Sequence, residues 1–147
     1  MKFFSAFAAV VILALGTTAV SSQQDPIAAR KSLMKSNGQA AGSLAKMVKG
    51  EAPFDLPTTQ KAFATFEDAA AKMPALFPDN SKIGGETTAA PKIWEDMADF
   101  KARFVKFGSD AKATSVSVKD LDSIKKAFPE FGKNCGGCHE LYRIKKS

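Results

Sequence analysis

The stretch SVKDLDSIKKAFPEFGKNCGGCHELYRIKKS, residues 117–147, decides how this chain is read. Within it Leu121, Ile124, Phe128, Phe131, Cys135, Cys138 and Leu141 recur at intervals of three and four, the period of one helix face. Ser117 followed by Asp120 offers a capping box for the start of that helix. Pro129 lies inside the pattern and predicts a kink or a short break near Phe128, because proline has no N–H to donate and crowds the preceding turn. The same stretch holds both cysteines and the only histidine of the 147 residues: Cys135, Cys138 and His139.

Working outward, three more helical patterns precede it. Asp25 and Pro26 form a helix start, with a carboxylate at the N-cap and proline in the first turn. Ile27, Met34, Ala41, Leu44 and Val48 then repeat at helical spacing until Gly50 supplies a stop. After EAPFDLP, a second series runs through Phe63, Phe66, Ala70 and Met73 and closes at Pro74. PDNSKIGGETTAAP, residues 78–91, is rich in glycine, proline and small polar residues and reads as a long loop crossing between helices. Trp94, Met97, Phe100, Phe104, Phe107 and Ala111 mark the third helix, with Asp96 as its cap. No segment alternates apolar and polar residues over a strand's length. Four helices with short outer loops and a long middle one predict an all-α, antiparallel four-helix bundle, in which the phenylalanine stripe is core packing.

The beginning of the chain belongs to no fold. MKFFSAFAAVVILALGTTAVSS, residues 1–22, has one lysine, an apolar run and then small residues, the layout of a cleaved secretory signal peptide. Cleavage is expected after Ser22, with Thr17 and Ala19 as a second register, leaving residues 23–147 as one domain in the periplasm. Losing Lys2 leaves 20 Lys+Arg against 15 Asp+Glu, a net charge of +5. That charge is spread along the chain and gathers only at Arg143, Lys145 and Lys146. It therefore gives no nucleic-acid stripe, and it suits steering towards an acidic protein partner.

Cys-x-x-Cys-His is the attachment signature of c-type haem. On a helix, residues three apart share a face, so both thiols can reach the vinyl groups on one edge of a porphyrin. His139, one turn from Cys135, can then offer an imidazole nitrogen to the iron. A tetrahedral zinc site would need four ligands and is starved of them here. A thioredoxin-like dithiol belongs at a helix N-terminus after a strand, whereas this motif closes a helical pattern. A plain disulfide would leave His139 without a part to play. With the one histidine claimed, no spare base serves a serine or cysteine nucleophile, and no enzymatic function is expected. Only eight residues follow His139, so a sixth iron ligand must come from upstream. The candidates are Met34, Met47, Met73 and Met97; the alternative is an open position that binds a small gas molecule.

At these residues the chain resembles the class II cytochromes c, the group that includes cytochromes c′. The resemblance spans the region after the signal, through ARKSLMKSNG, KGEAPFD, LFPDNSKIGGETTAAPKIWED and GKNCGGCHELYRIKK. It implies a four-helix bundle holding one covalent haem c, with Cys135 and Cys138 as thioether positions and His139 as the proximal ligand. It also implies that Arg143 lies beside the haem on the proximal side, that Arg30 pairs with a propionate, and that Lys31 lies near that edge. Met34 falls where the family places either a methionine ligand or an apolar side chain that merely blocks access. The function expected is single-electron transfer between redox partner proteins, with iron held by His139 and Met34. The alternative is a five-coordinate protein binding nitric oxide or carbon monoxide. Dimerisation through the first two helices is a further family trait.

Overall fold

A computed structural model describes residues 25–145; the signal segment expected at residues 1–22 lies outside the described residues. Four long helices carry the fold: α1 (Pro26–Lys49), α2 (Leu56–Lys72), α4 (Met97–Ser117) and α5 (Leu121–Tyr142), with a one-turn α3 (Lys92–Glu95) before α4. Each long helix begins on an aspartate. Asp25 accepts from Ile27 N at 2.9 Å, Asp55 from Thr58 N at 2.8 Å, Asp96 from Asp99 N at 3.3 Å and Asp120 from Ser123 N at 2.8 Å. A side-chain oxygen there satisfies an N–H that the helix cannot. Gly50 ends α1 at φ 77°, a left-handed conformation that a side chain would strain.

Two expectations shift at α5. Its capping box is Asp120 with Ser123, three residues later than the Ser117–Asp120 pair predicted, because α4 runs on through Ser117, whose hydroxyl donates to Thr114 O. The helix is also continuous across Pro129, so the break expected there is absent. Pro129 and Lys125 are both exposed, which lets water serve the carbonyl that the proline cannot bond. Phe131 just beyond it is packed among Phe63, Phe66 and Phe107, which anchors the helix on the far side of the proline.

The directions of the helices follow from what meets at one end. Arg30, near the start of α1, donates to Leu76 O just after α2. Ala90 N, just before α4, donates to Tyr142 O at the end of α5, and Ile144 N donates to Thr88 O. The starts of α1 and α4 and the ends of α2 and α5 therefore share one end of the bundle, so neighbours in sequence run antiparallel. Around the ring, α2 and α4 make the most extensive pairing and α1 and α5 the sparsest.

The core is a ladder of rings. Phe63 and Phe66 of α2 meet Phe107 of α4 and Phe131 of α5 at centroid distances of 5.1–5.9 Å. Nearer the crossover end, Phe100 contacts Phe77 at 4.7 Å, Phe104 at 5.1 Å and Tyr142 at 5.2 Å. Mostly edge-on or tilted, these are favourable aromatic arrangements. At the same end Tyr142 ties α5 to α4: its hydroxyl donates to Asp99 Oδ2 at 2.5 Å, the oxygen that also accepts from Arg103 Nε at 2.6 Å. Arg103 extends this latch to the carbonyl of Gly137 at 3.4 Å.

Phe66→Ala, which removes a ring touching three others, is expected to cost about 3–5 kcal/mol in denaturant unfolding, with little change in the slope of the transition. Tyr142 is the only tyrosine, so its titration can be followed alone. Burial first, and its bond to Asp99 second, push its pKa up to about 12. The phenolate band of the folded protein should thus rise about two pH units later than that of the chain unfolded in denaturant. The stability held by this proton is complete below pH ~10 and is lost as the pH climbs towards 12.

Candidate metal and cofactor centre

The azimuth of α5 places the motif. Ile124, Phe131 and Tyr142 lie along one line of the helix and are 0%, 4% and 4% exposed. Cys135 points within about 20° of Ile124 and Tyr142, given 100° per residue, yet it is exposed. Cys138 and His139, on either side of it, are half-buried. The inward line of α5 is thus uncovered where its two thiols and its imidazole stand.

The grooves on the outer faces show which way these groups turn. The groove between α4 and α5 is lined by Lys106 and Asp110 from α4 and by Glu130, Asn134 and Gly137 from α5. His139 lies about 140° round the helix from Asn134 and about 160° from Gly137, on the flank away from α4 and so towards α1. The groove between α1 and α2 is lined by Leu33 and Ser36 from α1. Met34 lies about 100° from Leu33 and about 160° from Ser36, on the flank away from α2 and so towards α5. Met34 and His139 therefore turn to the same side of the bundle, between its two most sparsely paired helices, and both stand within the last turns at the crossover end.

The other three candidate methionines are otherwise engaged. Met47 and Met73 are buried, Met47 Sδ accepting from Thr59 Oγ1 at 3.7 Å, and Met97 packs partly buried against the core. Met34 alone of the four is exposed, at 37%.

Electrostatics favour ligation over thiol chemistry. Desolvation by the surrounding protein raises the pKa of half-buried Cys138 and also that of Cys135, exposed though that residue is, which disfavours the thiolates of a redox dithiol. Burial, aided by the charge of Arg143, lowers the pKa of His139 and keeps the imidazole neutral, the form that binds a metal. Among the described residues no group of three or more His, Cys, Asp and Glu side chains is placed to hold a bare metal ion. Two thiols three residues apart and a neutral imidazole on one uncovered turn do fit the covalent haem read from the sequence.

The remaining site residues fall on two sides. Arg143 is exposed at the end of α5, where its backbone pairs with Ala89. Lys31 is exposed and meets Glu86 at 3.4 Å and Gly85 O at 3.3 Å. Arg30 is buried, 5% exposed, and all its terminal N–H groups are engaged. They donate to Leu76 O at 2.9 Å, Ser81 Oγ at 2.9 Å, Ser81 O at 3.0 Å and Thr87 Oγ1 at 3.1 Å, leaving Nε outside this set. Sequence reasoning passed over Asp99, Arg103 and Tyr142. The spacing of Asp99 and Arg103 on one helix was a signal for their ion pair, but Tyr142 enters only through tertiary packing.

Known proteins share this fold. A family model described as Cytochrome C′ matches residues 25–143. Cytochrome c′ from Rhodopseudomonas palustris is 43% identical over 136 residues, covering 92% of this chain and 93% of that one. Cytochrome c-556 from the same organism is 35% identical over 138 residues, covering 91% and 93%. The solved structure of cytochrome c′ from Rhodopseudomonas palustris superposes with a TM-score of 0.82 at 46% identity, over 85% of this chain and all of that one. A nitric oxide complex of a cytochrome c prime variant from Alcaligenes xylosoxidans superposes with a TM-score of 0.70 at 29% identity, over 82% and 94%. With the family match running from residue 25 to residue 143 and the bundle in common with these proteins, the chain belongs to the cytochrome c′ family, whose members carry covalently attached haem c.

Proposed function

We propose that this cytochrome is a periplasmic carrier of single electrons in which His139 and Met34 are the axial ligands. The observation that carries the reading is the shared orientation of Met34 and His139 towards the α1–α5 side, with Met34 the one methionine among the described residues not committed to the core. Bound there, haem supplies a one-electron couple between ferric and ferrous iron. Cys135 and Cys138 would anchor it through thioethers, and His139 would give its neutral imidazole nitrogen. Arg143 and Lys31 bring positive charge to the rim, and fixed positive charge favours the ferrous state. Arg30 borders the α1 side, where its free Nε–H is the donor left for a propionate. The buried rings of Phe131 and Tyr142 would give the haem an apolar backing, which lowers the reorganisation needed on electron transfer. The modest positive charge of the mature chain suits an acidic redox partner. Export rests on the signal-like residues 1–22.

A second reading has its own support: a cytochrome c′ and a nitric oxide complex of a cytochrome c prime variant are among the similar proteins. Met34 would then line an open distal position that takes nitric oxide or carbon monoxide.

The ferric optical spectrum separates the two. Ligation by Met34 gives a low-spin iron with a thioether-to-iron charge-transfer band. Met34→Ala should abolish that band, convert the iron to high spin and let carbon monoxide bind the ferrous form. A wild-type spectrum that is already high-spin, with carbon monoxide taken up readily, would establish the second reading.

A further inference from the structure

Met34 and His139 belong to the pair of neighbouring helices that pack least on each other, so direct contact between α1 and α5 does little to fix their separation. The crossover does more. Arg30, one turn before Met34 on the same helix, sends its four terminal N–H bonds to acceptors from Leu76 to Thr87, with its guanidinium 4.5 Å from the Phe77 ring centroid. Thr87 Oγ1 also accepts from Ala89 N at 3.2 Å. One residue further, Ala90 N donates to Tyr142 O at 3.0 Å, and Ile144 N donates to Thr88 O at 2.8 Å. Arg143 N returns to His139 O at 3.2 Å. A continuous polar path therefore runs from the turn of α1 that bears Met34, over the end of the bundle, to the turn of α5 that bears His139.

The path is tightly seated. Gly85 lies so close on α1 that a Cβ there would come within 2.9 Å of Ile27 Cγ2, and its φ of 53° belongs to the left-handed region. Ser81, at the middle of the Arg30 contacts, is 1% exposed and also donates to Pro78 O at 2.8 Å.

We propose that Arg30 is a positioning residue: it braces the Met34 turn against the crossover and through it against the His139 turn, and so sets whether the Met34 thioether reaches the iron. The coordination part rests on the His139–Met34 reading above; the brace itself does not. A role confined to pairing with a propionate would need only the positive charge. The brace needs the fork, since a guanidinium spans several acceptors at once while an ammonium offers its hydrogens from a single point.

Arg30→Lys and Thr87→Val separate these roles in the haem-loaded protein. Lysine keeps the charge and loses the fork; Thr87→Val leaves Arg30 intact and removes an acceptor from the path. Amide hydrogen exchange at Ala90 and Ile144 should accelerate about tenfold or more in both variants, with amides in the α2–α4 core unaffected. The high-spin fraction of the ferric protein should rise by a similar factor, and its reduction potential should shift with it. The proposal is overturned if Arg30→Lys matches the wild type in exchange and spectrum, or if Thr87→Val leaves the exchange at Ala90 and Ile144 unchanged. Should Arg30→Lys fail to accumulate, Thr87→Val decides. A high-spin wild type sinks the Met34 reading and the coordination part with it, while the exchange rates still decide whether the brace exists.

Discussion

The rotational setting of α5 is the constraint on which the rest depends. A helix carrying two thiols and an imidazole is useful only if all three turn to one slot, and a rotation of one residue, about 100°, would turn them away. Two sets of contacts hold that angle. Phe131 is clamped among Phe63, Phe66 and Phe107, and Tyr142 is fixed by Asp99 and by the edge of Phe100. The two lie on one line of the helix, one before the motif and one after it. Rings on one line with the thiols and the imidazole beside it are a single arrangement seen from two sides.

Much of this was legible in the chain itself. The Asp25–Pro26 start, the Gly50 stop and the phenylalanine spacings depend on neighbours within a turn or two, so local physics was enough to read them. The cap of α5 was misread by three residues because Ser117-x-x-Asp120 and Asp120-x-x-Ser123 are equally good boxes, and only the length of α4 chooses between them. Leu141 was expected on the inward face and is exposed, whereas Tyr142 is buried. Ile124 and Tyr142 are 18 residues apart, five whole turns at about 3.6 residues each, and stepping by threes and fours lost that phase. Arg30 was the least legible residue. Its partners lie 46 to 57 positions away in a segment that looked like plain loop, so nothing near it in sequence announced them.

That loop also explains how a bundle with one weakly paired seam stays in register. The seam between α1 and α5 is the side to which Met34 and His139 turn, and filling it with side chains would close it. Cohesion is moved instead to the end of the bundle, where backbone and guanidinium bonds join the two helices without occupying the space between them. The Phe77 and Trp94 rings reinforce that end, with Trp94 Nε1 donating to Phe77 O at 3.0 Å.

The aspartate at the head of every long helix carries one more consequence. Helix initiation throughout the protein is entrusted to a single ionisable chemistry. The hydrogen bonds at Asp55 and Asp120 draw their carboxyls below the ordinary range, so the stabilisation those two caps give is complete above pH ~4 and drains away as acid restores their protons. Acidification accordingly weakens α2 and α5 at their first turns together, and α5 is the helix that bears Cys135, Cys138 and His139. Acid therefore loosens, in one and the same range, the helix that bears the attachment turn and the helix whose Phe63 and Phe66 anchor the aromatic ladder.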